Sequence, residues 1–226
     1  MKFDFYVRTE KDLTDAIEEY GFVPFFAGRI EGFSVEERIS PAAWFPDEGE
    51  GIWEWKGPVI RESRCAYGKF FEKKAVFVSK RWFPALANYR RDGYDYDARS
   101  DEGLTNYREE ALYKLIDKNA PSLSSALKKT GGYGREGKKG FDTLVTSLQA
   151  QCYIVINDFV YSTDKHGKKY GWGVAEYTTP EKFYGDGFTA AAYSEEPEES
   201  YARIFDHLRN ILPHAHEEDI KRILGK

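Results

Sequence analysis

The chain has 226 residues, 41% of them hydrophobic, and a formal net charge of −5. This length allows one large domain or two small ones, and the apolar fraction is sufficient for a hydrophobic core. No apolar run reaches the length that crosses a bilayer, and the first residues lack the apolar stretch of a secretion signal. We therefore expect a cytoplasmic protein without membrane contact. Two cysteines and four scattered histidines predict no disulfide framework, no metal site and no cofactor.

The amino-terminal region combines one clear helix with aromatic-rich segments that are harder to assign. Thr9 is placed to cap a helix whose apolar positions are Leu13, Ala16, Ile17 and Tyr20. A short helix is expected over residues 34–39. Residues 44–66 contain several Gly and Pro, which favours short strands or extended loops over helix.

The next segment predicts a strand, a helix and a linker. The β-branched and aromatic run from Ala75 to Val78 favours a strand, and a helix is expected near residues 82–89. Residues 93–103 are acidic and rich in Tyr and Gly, which is typical of a linker between two modules.

Three short amphipathic helices are predicted after this linker. The first begins at the potential cap Asn106, and the second begins at the potential cap Ser122. The third buries one face and leaves small polar side chains outside, because apolar residues recur at helical spacing. Its expected buried positions are Phe141, Leu144, Val145, Leu148 and Cys152, and its expected outer positions are Thr143, Thr146, Ser147 and Ala150.

A β-hairpin is predicted directly after the third helix. One strand starts near Tyr153, the tip runs from Asp164 to Lys169 with a central Gly, and the return strand ends near Tyr177. Three helices followed by a hairpin are the order of a winged helix, a helix-turn-helix with a β-hairpin wing that can enter a DNA groove.

The predicted fold class is therefore α+β, mainly helical, with three parts. Residues 1–100 form an aromatic-rich amino-terminal α/β module, and residues 101–180 form the winged helix. Residues 181–226 form carboxy-terminal helices that we expect to pack on the winged helix. Most aromatic side chains, which make up 16% of the chain, are expected in the core, the five Trp residues included.

Charge is distributed unevenly along the sequence. Between Leu123 and Tyr170 there are eight basic and four acidic residues, although the whole chain is acidic. Such a bias is typical of a basic contact surface, and it is equally typical of a solvated loop. If the bias marks a nucleic-acid surface, the predicted binding residues are Lys138, Lys139, Thr143, Thr146, Ser147, Lys165, His166, Lys168 and Lys169.

One carboxylate is a candidate for catalysis. Glu54 lies between Trp53 and Trp55, where a carboxylate among aromatic rings could place a water beside a sugar while the rings hold a base. The alternative is a solvated Glu on an edge strand, because strand alternation would put Glu54 on the face opposite both rings.

The sequence resembles a known family in two blocks. Residues 67–84, YGKFFEKKAVFVSKRWFP, and the hairpin tip around Lys165-His166-Gly167-Lys168-Lys169-Tyr170 are similar to the AlkZ-type (YcaQ-like) winged-helix DNA glycosylases. The likeness spans about two-thirds of the chain. It implies a monomeric, metal-free protein that acts on DNA, in a family that excises alkylated bases.

The catalytic motif of that family is Gln, an apolar residue, then Asp or Gln, in an amino-terminal winged helix. Nothing upstream of Tyr67 matches this motif, and the Gln-apolar-Gln sequence of this chain is Gln149-Ala150-Gln151, on the third predicted helix. The resemblance therefore implies a shortened relative that lacks the amino-terminal catalytic motif.

Three functions follow as hypotheses. The first is a DNA-binding protein that contacts duplex or damaged DNA through the third helix and the wing. The second is an active glycosylase that hydrolyses the N-glycosidic bond of alkylated bases with a relocated carboxylate such as Glu54. The third is a winged-helix module for protein interaction or a small ligand. The sign of the surface charge around the third helix distinguishes the first from the third.

Overall fold

The computed structural model describes residues 2–167, 169–185 and 187–225. Helices make up about 48% of the chain and the strands form two small antiparallel sheets, so the predicted α+β class is confirmed. The elements in chain order are α1 (Glu10–Tyr20), β1 (Phe22–Pro24), α2 (Pro41–Trp44), α3 (Ile52–Ser63), β2 (Ala66–Phe71), β3 (Lys74–Val78), α4 (Phe83–Arg91), α5 (Tyr96–Asp101), α6 (Tyr107–Asn119), β4 (Ser122–Leu123), α7 (Ser124–Thr130), α8 (Phe141–Ala150), β5 (Val155–Thr163), β6 (Lys169–Thr178), α9 (Pro180–Tyr184), α10 (Gly187–Ala192), α11 (Pro197–Ile211) and α12 (Glu217–Leu224).

The first helix and the first sheet form the centre of the amino-terminal part. Thr9 caps α1 by accepting a hydrogen bond from the backbone N–H of Asp12, and the four predicted apolar positions of α1 are buried. The sheet has the order β1-β3-β2, and β3 includes the predicted strand 75–78. The predicted helix near residues 82–89 is also confirmed, as α4.

The prediction of extended structure over residues 44–66 is wrong, because α3 occupies residues 52–63. The helix buries Ile52, Lys56, Val59 and Ile60 at helical spacing, and it packs against α1 and β5. Gly57 belongs to this contact, since a Cβ there would lie 2.4 Å from Oδ1 of Asp158. The glycine that indicated a break is thus required by close packing, and tertiary contacts override its low helix propensity.

Two further local predictions differ from the structure. Residues 34–39 form turns instead of a helix, and Ile39 makes an isolated parallel bridge with Val7. The expected linker at 93–103 contains the short helix α5, which Asp95 caps by accepting from the backbone N–H of Ala98. The bridge at Ile39 and the cap at Asp95 account for these two differences.

The second half of the chain follows the predicted order of elements. Asn106 caps α6, and α8 buries Phe141, Leu144, Val145 and Leu148 as expected. The second helix starts slightly later than predicted, because residues 122–123 pair with β6 before α7 begins. Strands β5 and β6 form the predicted hairpin, and α6, α7 and α8 enclose a second hydrophobic core.

The carboxy-terminal helices make their largest contacts with α4, and Lys182 of α9 also pairs with Asp117 of α6 (3.1 Å). Both α10 and α11 contact α4, and α12 packs on α11. Their buried residues, including Phe188, Ile204 and Leu208, belong to the same hydrophobic core as β1, β2 and β3. A helix pattern predicts an apolar face but not its partner, so the sequence could not specify this contact with α4.

The fully buried Arg91 joins the two cores. Its guanidinium donates to the carbonyl of Cys152 from Nη2 (2.8 Å) and to Oε1 of Glu181 (2.6 Å) and the hydroxyl of Tyr193 (2.8 Å) from Nη1. Burial alone lowers the pKa of Arg91, but Glu181 and Tyr193 more than offset this effect and the pKa is raised. Arg91 therefore stays charged and ties α4 to the end of α8 and to α9.

Replacing Arg91 should destabilise the whole protein. We expect Arg91→Met to lower the free energy of unfolding by about 3 kcal/mol or more, because it leaves Glu181 and the Cys152 carbonyl without their partner. Urea denaturation followed by circular dichroism measures this change. The matched control is Arg203→Met, which removes a half-exposed pair with Glu195 and should cost about 1 kcal/mol or less. Equal losses in the two variants would contradict the role of Arg91.

Candidate functional site

The outer face of α8 forms one wall of an open cleft. Thr143, Thr146, Ser147 and Ala150 point away from the second core, as predicted from their spacing. The opposite wall comes from the β2–β3 hairpin and α4, and the cleft has a volume of about 700 Å³. The side chains contributed by that wall are Lys69, Lys73 and Arg90. We call this space the α8 cleft.

Hydrogen bonds hold the polar side chains of the α8 cleft in place. Lys69 Nζ donates to the hydroxyl of Thr146 (3.1 Å), which itself donates to the carbonyl of Asp142 (2.7 Å). Nε2 of Gln151 donates to Oγ of Ser147 (3.1 Å) and to Oε2 of Glu109 (3.3 Å). The wall thus presents fixed hydroxyl, amide and ammonium groups, which are the groups that contact phosphates and base edges.

Further basic side chains surround the amino end of α8. Lys138 and Lys139 line a smaller pocket of about 210 Å³ with Arg108 and Tyr133. Lys139 donates to the carbonyl of Gly134 (2.8 Å), and Arg108 donates to the carbonyl of Lys139. Both predicted lysines are exposed, and hydrogen bonds hold Lys139 beside Gly140, the residue that precedes α8.

Sequence reasoning missed Lys69 and Lys73. Both belong to the block of residues 67–84, but their place opposite α8 depends on a contact between distant segments. The hairpin that carries them turns sharply, since Glu72 and Lys73 both have positive φ (46° and 61°). The sequence predicted the second strand of this hairpin, over residues 75–78, and no local signal placed the hairpin beside α8.

The hairpin tip lies near a different part of the molecule. Lys169 pairs with Glu50 (2.7 Å), and the backbone N–H of His166 donates to Oδ1 of Asp164 (2.8 Å). Lys165 and His166 are exposed in this turn. Lys168, also predicted to bind nucleic acid, lies outside the described residues. Lys169 lines a cleft with Glu50 and Tyr161, so the structure does not bring it into the α8 cleft.

Glu54 is on the helix α3 and not on the edge strand that we considered. Its Oε2 accepts from the backbone N–H of Gly51 (3.0 Å), so the carboxylate caps the amino end of α3. Glu54 also borders two open clefts of about 370 Å³ each, one shared with Trp53 and Trp172 and the other with Lys169. Glu54 thus shares a cleft with Trp53 but not with Trp55, and the predicted strand is a helix.

A buried lysine lies two residues after this glutamate on α3. Lys56 is 8% exposed, and its Nζ lies 4.2 Å from the ring centroid of Phe159 and 4.7 Å from that of Trp53. Burial lowers the pKa of Lys56 to about 8, and the charge of Glu54 partly opposes this effect. Sequence reasoning missed this group because helix α3 was not predicted.

The comparisons place the chain in a family. The model of the AlkZ-related family matches residues 7–225, so the chain belongs to that family. No curated protein and no solved structure shows a significant match to the chain. The family match confirms the resemblance that the sequence suggested.

The described residues hold neither a helix suited to crossing a membrane nor a cluster of metal-binding side chains. Within residues 2–167, 169–185 and 187–225, no helix is long and apolar enough to cross a membrane. The same residues contain no group of three or more His, Cys, Asp or Glu side chains that could hold a metal ion.

Stability should depend on pH through Lys56. Below about pH 8 the folded protein carries a buried charge, and between about pH 8 and the unfolded pKa of about 10.5 the folded state loses that charge first. We expect Lys56→Met to stabilise the protein at about pH 7 by up to about 3 kcal/mol, with the gain shrinking toward about pH 10.

Urea denaturation of both proteins across this pH range measures the gain. The control is Lys11→Met, because Lys11 is exposed on α1 and should produce no comparable gain. Lower stability of Lys56→Met at neutral pH would show that ring contacts to the ammonium outweigh its burial.

Proposed function

We propose that this member of the AlkZ-related family is a DNA-binding protein that contacts a duplex through the outer face of α8 and the lysines beside it. The observation that carries the proposal is the meeting of Thr143, Thr146 and Ser147 with Lys69 and Lys73 in one cleft. Hydroxyls on this outer helix face can contact base edges or the sugar-phosphate backbone of DNA, and the lysines can contact its phosphates.

The order of elements supports a winged-helix interpretation of residues 101–180. Helix α6, strand β4, helices α7 and α8, and the hairpin β5–β6 follow one another as in a winged helix, with β4 paired to β6. In this interpretation α8 is the recognition helix and the hairpin is the wing. Residues 1–100 and 181–226 would then form the remaining parts, with the last helices making their largest contacts with α4.

The distribution of charge supports DNA over a protein-interaction or small-ligand module. Lys69, Lys73, Lys138 and Lys139 lie around α8, although Asp142 and Glu109 reduce the local excess of positive charge. Lys128 pairs with Asp142 (3.1 Å) and offsets one of these carboxylates. A basic face on an acidic chain concentrates phosphate affinity at one place and discourages binding elsewhere.

Charge reversal in the α8 cleft should weaken DNA binding. We expect Lys69→Glu with Lys73→Glu to reduce duplex affinity at least about tenfold and to lower the slope of log K against log salt by about 2, because two phosphate contacts are lost. Fluorescence anisotropy of labelled duplexes, undamaged and with an abasic-site analogue, measures both quantities.

A matched variant separates this effect from a general change of charge. Lys11→Glu with Lys221→Glu makes the same change on α1 and α12, outside the α8 cleft, and should leave affinity within about twofold of the wild type. Equal weakening by the two double variants would show that α8 is not the contact surface. No binding at low salt would remove DNA from the proposal.

A second candidate is hydrolysis of the N-glycosidic bond of alkylated bases. Glu54 favours it, since a carboxylate that borders an open cleft with Trp53 and Trp172 has the group needed to place a water beside rings that can hold a base. The motif Gln149-Ala150-Gln151 supports a different location, because Gln151 lines the α8 cleft beside Glu109.

The glycosylase candidate predicts abasic sites in alkylated DNA. Incubation with the protein, followed by cleavage at abasic sites and gel analysis, measures them. If Glu54 acts, Glu54→Gln should reduce the rate at least about a hundredfold, while Gln151→Ala should not. The reverse result would move the reaction to the α8 cleft, and the absence of abasic sites with the wild type would eliminate catalysis of this kind.

A further inference from the structure

An open cleft lined by aromatic side chains lies between α3 and the start of β6. Trp44, Phe45, Trp53 and Trp172 line it with Glu54, and its volume is about 370 Å³. We call it the aromatic cleft. The α8 cleft has a different set of lining residues, so the two spaces can be tested separately.

Two rings of the aromatic cleft are largely exposed to solvent. The side chain of Trp172 is 74% exposed and that of Phe45 is 67% exposed. The expectation that every Trp is buried is therefore wrong for Trp172. Large apolar side chains that face water side by side mark a binding surface more often than a packing defect.

The neighbouring rings are steeply inclined to one another. The interplanar angle is 66° between Trp44 and Trp53, 84° between Trp53 and Trp172, and 89° between Trp44 and Phe45, with centroids 5.5 to 6.3 Å apart. Rings inclined to one another can contact a compact group from several sides, whereas a flat aromatic ligand is best held between parallel ring faces. The geometry suits a compact, rounded group.

The charge that lines the aromatic cleft is negative. Glu54 is the one charged side chain among the described residues that line it, and in the adjoining cleft Glu50 is paired with Lys169. A phosphate would be repelled here, while a cation would gain from the carboxylate and the ring faces. The cluster already holds one ammonium group, since Lys56 Nζ lies 4.7 Å from the centroid of Trp53.

We propose that the aromatic cleft binds a quaternary ammonium group. Methylation removes the N–H donors that a plain ammonium must keep hydrated and enlarges the surface that contacts the rings. In this site Trp172 and Trp44 contact the methyl groups and Glu54 balances the charge. The proposal does not depend on DNA binding by α8.

Two-dimensional NMR of the indole N–H groups tests the proposal with small probes. Choline is titrated against 3,3-dimethylbutanol, its uncharged isostere, and 7-methylguanosine, a cationic methylated base, is titrated against guanosine. We expect saturable shifts with choline and at least about fivefold weaker binding of the uncharged isostere. Preference for choline over 7-methylguanosine would support the proposal, and preference for 7-methylguanosine would contradict it, because inclined rings disfavour a flat base.

Variants place the binding in the aromatic cleft. Trp172→Ala should weaken choline binding about threefold to thirtyfold, and Glu54→Gln should weaken it while its amide oxygen keeps the cap on Gly51. The matched control is Tyr170→Ala, an exposed aromatic on the same strand outside the cleft lining, which should bind as the wild type does.

Three further results would overturn the proposal. They are no saturable shift with either cation, equal binding of the charged and uncharged probes, and equal loss in Tyr170→Ala and Trp172→Ala. Because the probes carry no phosphate backbone, none of these results bears on duplex binding by α8.

Discussion

The structure depends on one buried charge. Arg91 lies at the end of α4, and its guanidinium is bonded to the carbonyl that follows α8, to Glu181 on α9 and to Tyr193. A charge in such a place is tolerated only when every neighbour is in position, so the contact specifies how the two cores meet. The Arg91 contact also matters for function, because it helps to hold the outer face of α8 opposite the lysines of the β2–β3 hairpin.

The α8 cleft and the aromatic cleft differ in chemical character. The α8 cleft combines hydroxyls with lysines, whereas the aromatic cleft combines exposed rings with Glu54. Glu50 pairs with Lys169 and thereby lowers the positive charge of the β5–β6 hairpin. The acidic net charge of the chain thus coexists with lysines gathered around α8, and the ligands that we propose for the two clefts differ in charge accordingly.

Local patterns predicted much of the fold, and distant contacts explain the failures. The capping residue Thr9 and the apolar spacing of α8 were sufficient for those helices, because both signals act within a few residues. Helix α3 was missed because a glycine such as Gly57 usually indicates a break in a helix. In the structure, Gly57 is needed because Asp158 on β5 approaches the helix closely at this position. Of the candidate site, the outer face of α8 could be predicted, but not the place of Lys69, since no local property encodes the pairing of two segments far apart in sequence.

The proposed nucleic-acid contact consists of α8 and the β2–β3 hairpin opposite it. Hydrogen–deuterium exchange with and without a duplex tests it directly, because it reports which backbone segments a ligand protects. We expect the backbone amides of residues 69–74 and 135–147 to exchange more slowly when a duplex binds, with little change on α1 and α12. Protection confined to residues 44–54 and 169–172, or spread evenly over the protein, would contradict it.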